Sequence, residues 1–256
     1  MKPPAGRSLL EGKIVVVTAA AGAGIGAAVV ARCLEEGARV VLSDSHERRL
    51  STAFCSLEQT YGDSVLSVPC DVTSEADVQE LLTVTTGHFG RIDVLVNNAG
   101  LGGNRPVTAM TDDEWARVLD VTLTGTFRCT RAALRRMTEQ GSGGAIVNNA
   151  SVLGWRAQAG QAHYAAAKAG VMAFTRCAAL EAAASGVRIN AVAPSLAAHP
   201  YLDRVMDAGE LARLAGREAF GRAAEPWEVA TVVAFLASDY ASYLTGEVIS
   251  VSSQHP

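Results

Sequence analysis

Short apolar runs of strand length alternate along this chain with longer stretches whose apolar positions recur at helical spacing. The runs Ile14 to Val17, Arg39 to Leu42, Val65 to Val68, Val94 to Val96, Ala145 to Val147, Arg188 to Val192 and Val248 to Val251 are predicted strands, most of them rich in β-branched residues. Helices are predicted between them over 25 to 36, 46 to 60, 74 to 88, 112 to 138, 162 to 184 and 226 to 237. Thr73-Ser74-Glu75-Ala76-Asp77 and Thr111-Asp112-Asp113-Glu114 supply a capping hydroxyl followed by acidic residues, the pattern of a helix start. Repeated β-α units imply an α/β fold built on a parallel sheet. The stretch 194–225 breaks the pattern: it follows a strand, mixes polarities and has weak periodicity, so a mobile substrate lid with a helical piece near 201 to 215 is expected there. Residues 1–10, with two prolines, are expected to be a flexible segment ahead of one domain spanning 11–256.

Composition narrows the picture. At 256 residues the chain fits one α/β domain with a substantial core. Hydrophobic residues make up 49%, charged residues 19%, and the net charge of -4 shows no overall basicity, which disfavours a nucleic-acid partner. Cysteines 33, 55, 70, 129 and 177 are odd in number and lack Cys-x-x-Cys spacing, which argues against a disulfide framework or a metal site. The start has no apolar core suited to a signal peptide and no later run reaches membrane-spanning length, so a soluble cytoplasmic protein without a membrane partner is expected.

Two regions carry chemistry. Strand Ile14 to Val17 leads into Thr18-Ala19-Ala20-Ala21-Gly22-Ala23-Gly24-Ile25-Gly26 and then a helical pattern. Glycines there let the backbone approach a pyrophosphate, and free amides at a helix start attract its charge; by itself such a turn is often only a tight connection. Asp44 ends the next strand, where its carboxylate suits both hydroxyls of an adenosine ribose and repels a ribose phosphate, so NAD is expected over NADP. Arg48 and Arg49 offer an alternative phosphate site, but lie beyond the strand end on what reads as a solvated helix turn. Asp71 is a candidate for the adenine amino group or simply a helix-start cap. Farther on, Tyr164 and Lys168 stand four apart, so a helix puts them on one face, with Ser151 upstream. A nearby ammonium favours the phenolate, making Tyr164 a usable general acid or base; an isolated Tyr-x-x-x-Lys more often just decorates a helix.

With Asp71-Val72, Asn97-Asn98-Ala99-Gly100 and Asn190-Ala191-Val192-Ala193-Pro194 added, the chain from Glu11 to Ser252 resembles the short-chain dehydrogenase/reductase family. The resemblance implies a Rossmann-type, doubly wound sheet of seven parallel strands with helices on both faces, assembled as a homotetramer. It implies that Thr18, Ala20, Gly22, Gly24, Ile25 and Gly26 hold the cofactor phosphates and that Asp71, Val72, Asn98, Ala99 and Gly100 border the adenosine. Lys168 would also hold the nicotinamide ribose, Ser151 would orient and polarise the substrate oxygen, and Pro194 and Ser195 would meet the nicotinamide end. Segments Asn148 to Gln158 and Gly221 to Trp227 and the ending Ser252 to Pro256 are similar to an actinobacterial branch that works on the last rings in steroid catabolism, implying a coenzyme A thioester as substrate.

The chain also departs from the family pattern. Ala19 replaces a glycine, Pro194-Ser195 replaces Pro-Gly, and His199 stands where a threonine commonly contacts the cofactor amide. Thr122 occupies the place of an active-site asparagine, where it either supports a water in a proton relay or is a packed helix residue. Trp155, Arg156, Gln158, Gln161 and His163 lie between Ser151 and Tyr164, the stretch expected to wall the substrate; for Arg156 a plain surface charge is the alternative. Leu101 to Arg105 and Tyr201 to Arg204 are expected to complete that pocket, with Arg105, Arg204 and Arg213 as candidates at its mouth. Two rival readings remain: a reductase of oxoacyl carrier-protein thioesters, and a non-catalytic dinucleotide sensor, which typically lacks the tyrosine or lysine present here.

Overall fold

A computed structural model describes residues 3–198 and 208–253, without the side chains of residues 208 and 210. His199, Tyr201 to Arg204, the first part of the expected helical piece and the ending from residue 254 lie outside the described residues. The elements run β1 (Ile14–Val17), α1 (Ile25–Glu35), β2 (Arg39–Asp44), α2 (Glu47–Tyr61), β3 (Val65–Pro69), α3 (Glu75–Phe89), β4 (Val94–Asn97), α4 (Asp112–Leu119), α5 (Gly125–Gln140), β5 (Gly144–Asn149), α6 (Ala162–Ala182), β6 (Val187–Pro194), α7 (Ala208–Ala215), α8 (Pro226–Ala237) and β7 (Val248–Val251). The seven strands form one parallel sheet in the order β3-β2-β1-β4-β5-β6-β7.

Alternation along the strands divides the core into two layers. In β1, Val15 and Val17 enter the cluster built with Val29, Val30 and Cys33 of α1 and Val229 and Val233 of α8, while Val16 faces the cluster of α3, α5 and α6. All four residues of β1 are buried, so the strand is continuously apolar rather than alternating with polar residues. Thr111 caps α4 and closes a capping box with Glu114; Ser74 caps α3 through the amide of Asp77.

Two expectations change. The helix predicted over 112 to 138 is interrupted: Asp120–Thr124 winds as a π turn between α4 and α5, with the Gly125 amide reaching back to the Asp120 carbonyl. The expected flexible start is docked along the described residues 3–10. Leu10 is fully buried, and the buried Glu36 carboxylate accepts from the amides of Arg7 (2.7 Å) and Leu9 (3.0 Å) while pairing with Arg32. Arg32 in turn donates to the Pro4 carbonyl at 2.7 Å. Backbone donors directed at a buried carboxylate hold this segment in place.

Candidate active site

The order of strands reverses between β1 and β4, and the turns leaving their carboxyl ends meet there, the position where open α/β sheets bind ligands. The Thr18 hydroxyl accepts from the amides of Asn98 (3.0 Å) and Ala99 (3.1 Å), and Asn98 Nδ2 donates to the carbonyls of Thr18 (3.2 Å) and Ala19 (3.0 Å). Ala19 is left-handed at φ 50°, which explains why a glycine suits this position. A Cβ on Gly26 would lie 2.4 Å from the Ala19 carbonyl oxygen and 2.5 Å from Asn98 Nδ2, so only glycine lets α1 start this close. Gly24, the N-cap of α1, supplies no side-chain cap, leaving the first amides of the helix, from Ile25 onward, to an anion. Ala20 and Ala21 are tied to β2 instead, through the Ser43 carbonyl and the Asp44 carboxylate.

Beside this turn opens a cleft of about 770 Å³ lined by Ala19, Asp44, Ser45, Arg49, Cys70, Asp71, Val72, Thr73, Ala99, Gly100, Leu101, Ala116, Arg117, Asp120 and Val121. Asp44 Oδ2 accepts from the Ala21 amide (3.2 Å); Oδ1 accepts from the His46 amide (2.9 Å) and from Arg49 Nη2 (3.3 Å). Arg49 is therefore not the solvated bystander its place in the first turn of α2 suggests: it curls back to the carboxylate and lines the cleft. One Asp71 oxygen holds the Thr73 amide and hydroxyl, and the residue borders the cleft. Volume, the turn and paired acceptors fit the adenosine end of a dinucleotide. Cys70, buried in the wall, has its thiol pushed up to about 12 by burial and is inert.

Ser151 follows β5, and Tyr164 and Lys168 stand one turn apart on α6. The Ser151 hydroxyl lies close enough to the Tyr164 phenol to lower its pKa, and it accepts from the Leu153 amide at 3.2 Å. Lys168, 3% exposed, has Nζ 5.5 Å from the Tyr164 ring centroid and donates to the Asn149 carbonyl. The expected lowering of the phenol pKa by lysine is not what dominates: burial pushes Tyr164 above its ordinary value, and the Ser151 hydroxyl draws it back only in part. Burial also brings Lys168 down to about 8.

A polar chain joins the two regions. Asn149 Nδ2 donates to Asn98 Oδ1 at 3.0 Å, so the glycine turn, Asn98, Asn149 and Lys168 are linked in series. Asn97 Nδ2 bonds Thr130 and Asn148, and Asn148 bonds Thr175, fastening β4 and β5 to α5 and α6.

Thr122 is fully buried on the π turn, and its hydroxyl donates to the Leu101 carbonyl (3.2 Å) and accepts from the Leu101 amide (3.0 Å). Its only proton is directed at that carbonyl, so in this geometry Thr122 tethers the loop after β4. That loop lies over the site: a Cβ on Gly102 would touch the Tyr164 ring at 3.5 Å, and one on Gly103 would meet His163 Nε2 at 3.4 Å. Arg105 donates its amide to the Gly160 carbonyl, and its guanidinium pairs with Glu114 at 2.6 Å. Trp155 is exposed, Arg156, Gln158 and Gln161 are half-buried, and His163 is buried with Nδ1 accepting from the Tyr164 amide. Pro194 ends β6, and the Ser195 amide bonds the Val251 carbonyl. The described flanks of the expected lid are joined where Ala197 and Ala224 bridge; Arg213 lies on α7. Sequence reasoning set Arg49 aside and passed over Asn149; the cue for the latter was its place two residues before Ser151, at the end of a strand leading into the site.

Comparison with known proteins agrees with this geometry. The family described as enoyl-(acyl carrier protein) reductase matches residues 19–253, and the chain belongs to the short-chain dehydrogenase/reductases. It is an oxidoreductase of the alcohol–ketone pair, a class that works with a nicotinamide dinucleotide. Among individual relatives, it is 66% identical to the (5R,7aS)-5-hydroxy-7a-methyl-1-oxo-2,3,5,6,7,7a-hexahydro-1H-indene-carboxyl-CoA reductase of Mycobacterium tuberculosis, over 100% of this chain and 97% of that protein. It is 44% identical to the cis-4-hydroxycyclohexanecarboxylate dehydrogenase of Sinomonas cyclohexanicum, over 93% of this chain and 94% of that one. The crystal structure of a short chain dehydrogenase from Mycobacterium smegmatis superposes with a TM-score of 0.89 at 58% identity, covering 100% and 98% of the two chains. Among the described residues no helix is long and apolar enough to cross a membrane, and no cluster of ligating side chains suits a metal.

Proposed function

We propose that this enzyme interconverts a secondary alcohol and a ketone with NAD, on a steroid-derived ring carrying a coenzyme A thioester. The observation that carries the reading is the convergence of Ser151, Tyr164 and Lys168 next to a cleft whose ribose end is marked by Asp44. The bound dinucleotide supplies the hydride chemistry. Tyr164 gives its phenolic proton to the substrate oxygen in reduction and takes it back in oxidation. Ser151 donates to the same oxygen, whose charge changes most in the transition state, and orients the phenol. Lys168 sits beside the ring as a cation below about pH 8 and stabilises the phenolate when the proton has left. Trp155 offers a flat apolar face to the ring, and the loop after β4 covers it. The indene-carboxyl-CoA reductase relative supports the substrate class, and Asp44 supports NAD. The working form is a cytoplasmic homotetramer, for which the exposed Trp115, Phe235, Tyr240 and Tyr243 supply apolar surface.

Tyr164→Phe tests the chemistry: turnover should fall by about a thousandfold, within the range spanned by general acid–base catalysis, while NAD binding measured by fluorescence stays within about twofold. A fully active variant would sink the scheme. The substrate class is tested by turnover of ring alcohols with and without the thioester; inactivity on every coenzyme A ester retires it.

A further inference from the structure

Asp44 is the residue that would select NAD, yet it is already engaged from three directions. A carboxylate offers about four acceptor positions, and the amides of Ala21 and His46 together with Arg49 fill three of them. A ribose diol needs two. The Arg49 bond is the one that yields: at 3.3 Å it is the longest of the three, and its side chain is 45% exposed whereas that of Asp44 is 7% exposed. Arg49 also lies in the first turn of α2, where the positive end of the helix dipole disfavours a cation, so Asp44 is its main attraction there. Once displaced, its guanidinium stays at the rim of the same cleft, beside the ribose end.

We infer that Arg49 is a second specificity-determining residue of the cofactor site: it offsets the charge of Asp44 and receives the additional ribose phosphate of NADP, so the enzyme uses both dinucleotides with a modest preference for NAD. The inference rests on the assignment of the cleft to the adenosine half of the cofactor. NAD displaces Arg49 from Asp44 at little cost, because the contact is long, the guanidinium returns to solvent, and the ribose hydroxyls replace it as donors to the carboxylate. With NADP the freed guanidinium meets a phosphate, where its planar fork makes paired, charge-assisted hydrogen bonds.

The test is direct binding. The dissociation constants of NAD and NADP are measured by fluorescence titration on the full chain at one fixed ionic strength, for the wild type, Arg49→Ala, Arg49→Lys and Arg48→Ala. In Arg49→Ala the NADP-to-NAD ratio of dissociation constants should rise about five- to tenfold, through weaker NADP binding, with NAD unchanged or slightly tighter. Arg49→Lys, which keeps the charge and loses the fork, should raise the ratio by less than Arg49→Ala does, and Arg48→Ala, which removes the same charge outside the cleft lining, should leave it unmoved. An Arg49→Ala ratio that stays level or falls overturns the inference, as does an equal rise in Arg48→Ala. Failure of the wild type to bind NAD at all would refute the cofactor-site reading itself and take the inference with it.

Discussion

Thr122 and Lys168 show how single groups divide the work of the site. Thr122→Val removes both bonds to Leu101 and leaves a buried amide and carbonyl unpaired, so stability should drop by about 1–2 kcal/mol in denaturant unfolding. Because the threonine proton is directed at the loop, the pH profile of turnover should not move; a displaced profile would support the relay role. Lys168 leaves a signature in stability. Its pKa falls from 10.5 to about 8 on folding, so within that window the unfolded chain binds a proton that the folded chain does not. Stability therefore rises with pH from about 8 to 10.5, by about 3 kcal/mol in total, and is flat below it. Denaturant midpoints on either side of the window should show this climb in the wild type and lose it in Lys168→Met.

Helix packing sets how the elements reach the site. A Cβ on Gly125 would stand 2.7 Å from Val72 Cγ2, so Gly125 brings the start of α5 against the turn after β3 beside the cleft. Gly125→Ala should cost about 1–3 kcal/mol by overpacking, measured by thermal unfolding, and should weaken dinucleotide binding because Val72 and Val121 wall the cleft. The same region marks the limit of what the sequence conveys. β1, β7 and α8 fall where their patterns place them, because a strand rich in β-branched residues or a Pro-led helix start leaves little freedom. Asp120–Thr124 carries no comparable mark: inserting one residue into a helical turn alters hydrogen bonding without altering composition, so it passed as part of one long helix. Asp44 was legible from its position, whereas Arg49 was not, because its direction depends on Asp44 competing with solvent for an exposed side chain. Likewise the Tyr164–Lys168 spacing gave their shared face but not the depth of burial that sets both pKa values.

For the molecule as a whole, the docked start matters as much as the sheet. Glu36 is buried; burial raises its pKa, but the amides of Leu9 and Arg7 and the Arg32 guanidinium outweigh it and hold the carboxyl below 4.5. That contribution is present above pH 4.5 and is lost as pH falls through the lowered value. Arg32→Ala leaves the charge buried without its counterion and should cost about 3–5 kcal/mol in denaturant unfolding, with amides 7 to 10 losing hydrogen-exchange protection. The polar chain from Thr18 through Asn98 and Asn149 to Lys168 has a consequence for redesign. Transplanting the glycine turn of another family member into this chain would disturb the lysine across the sheet unless Asn98 and Asn149 were exchanged with it. Cofactor swapping by loop grafting must therefore treat four separated positions as one transferable unit.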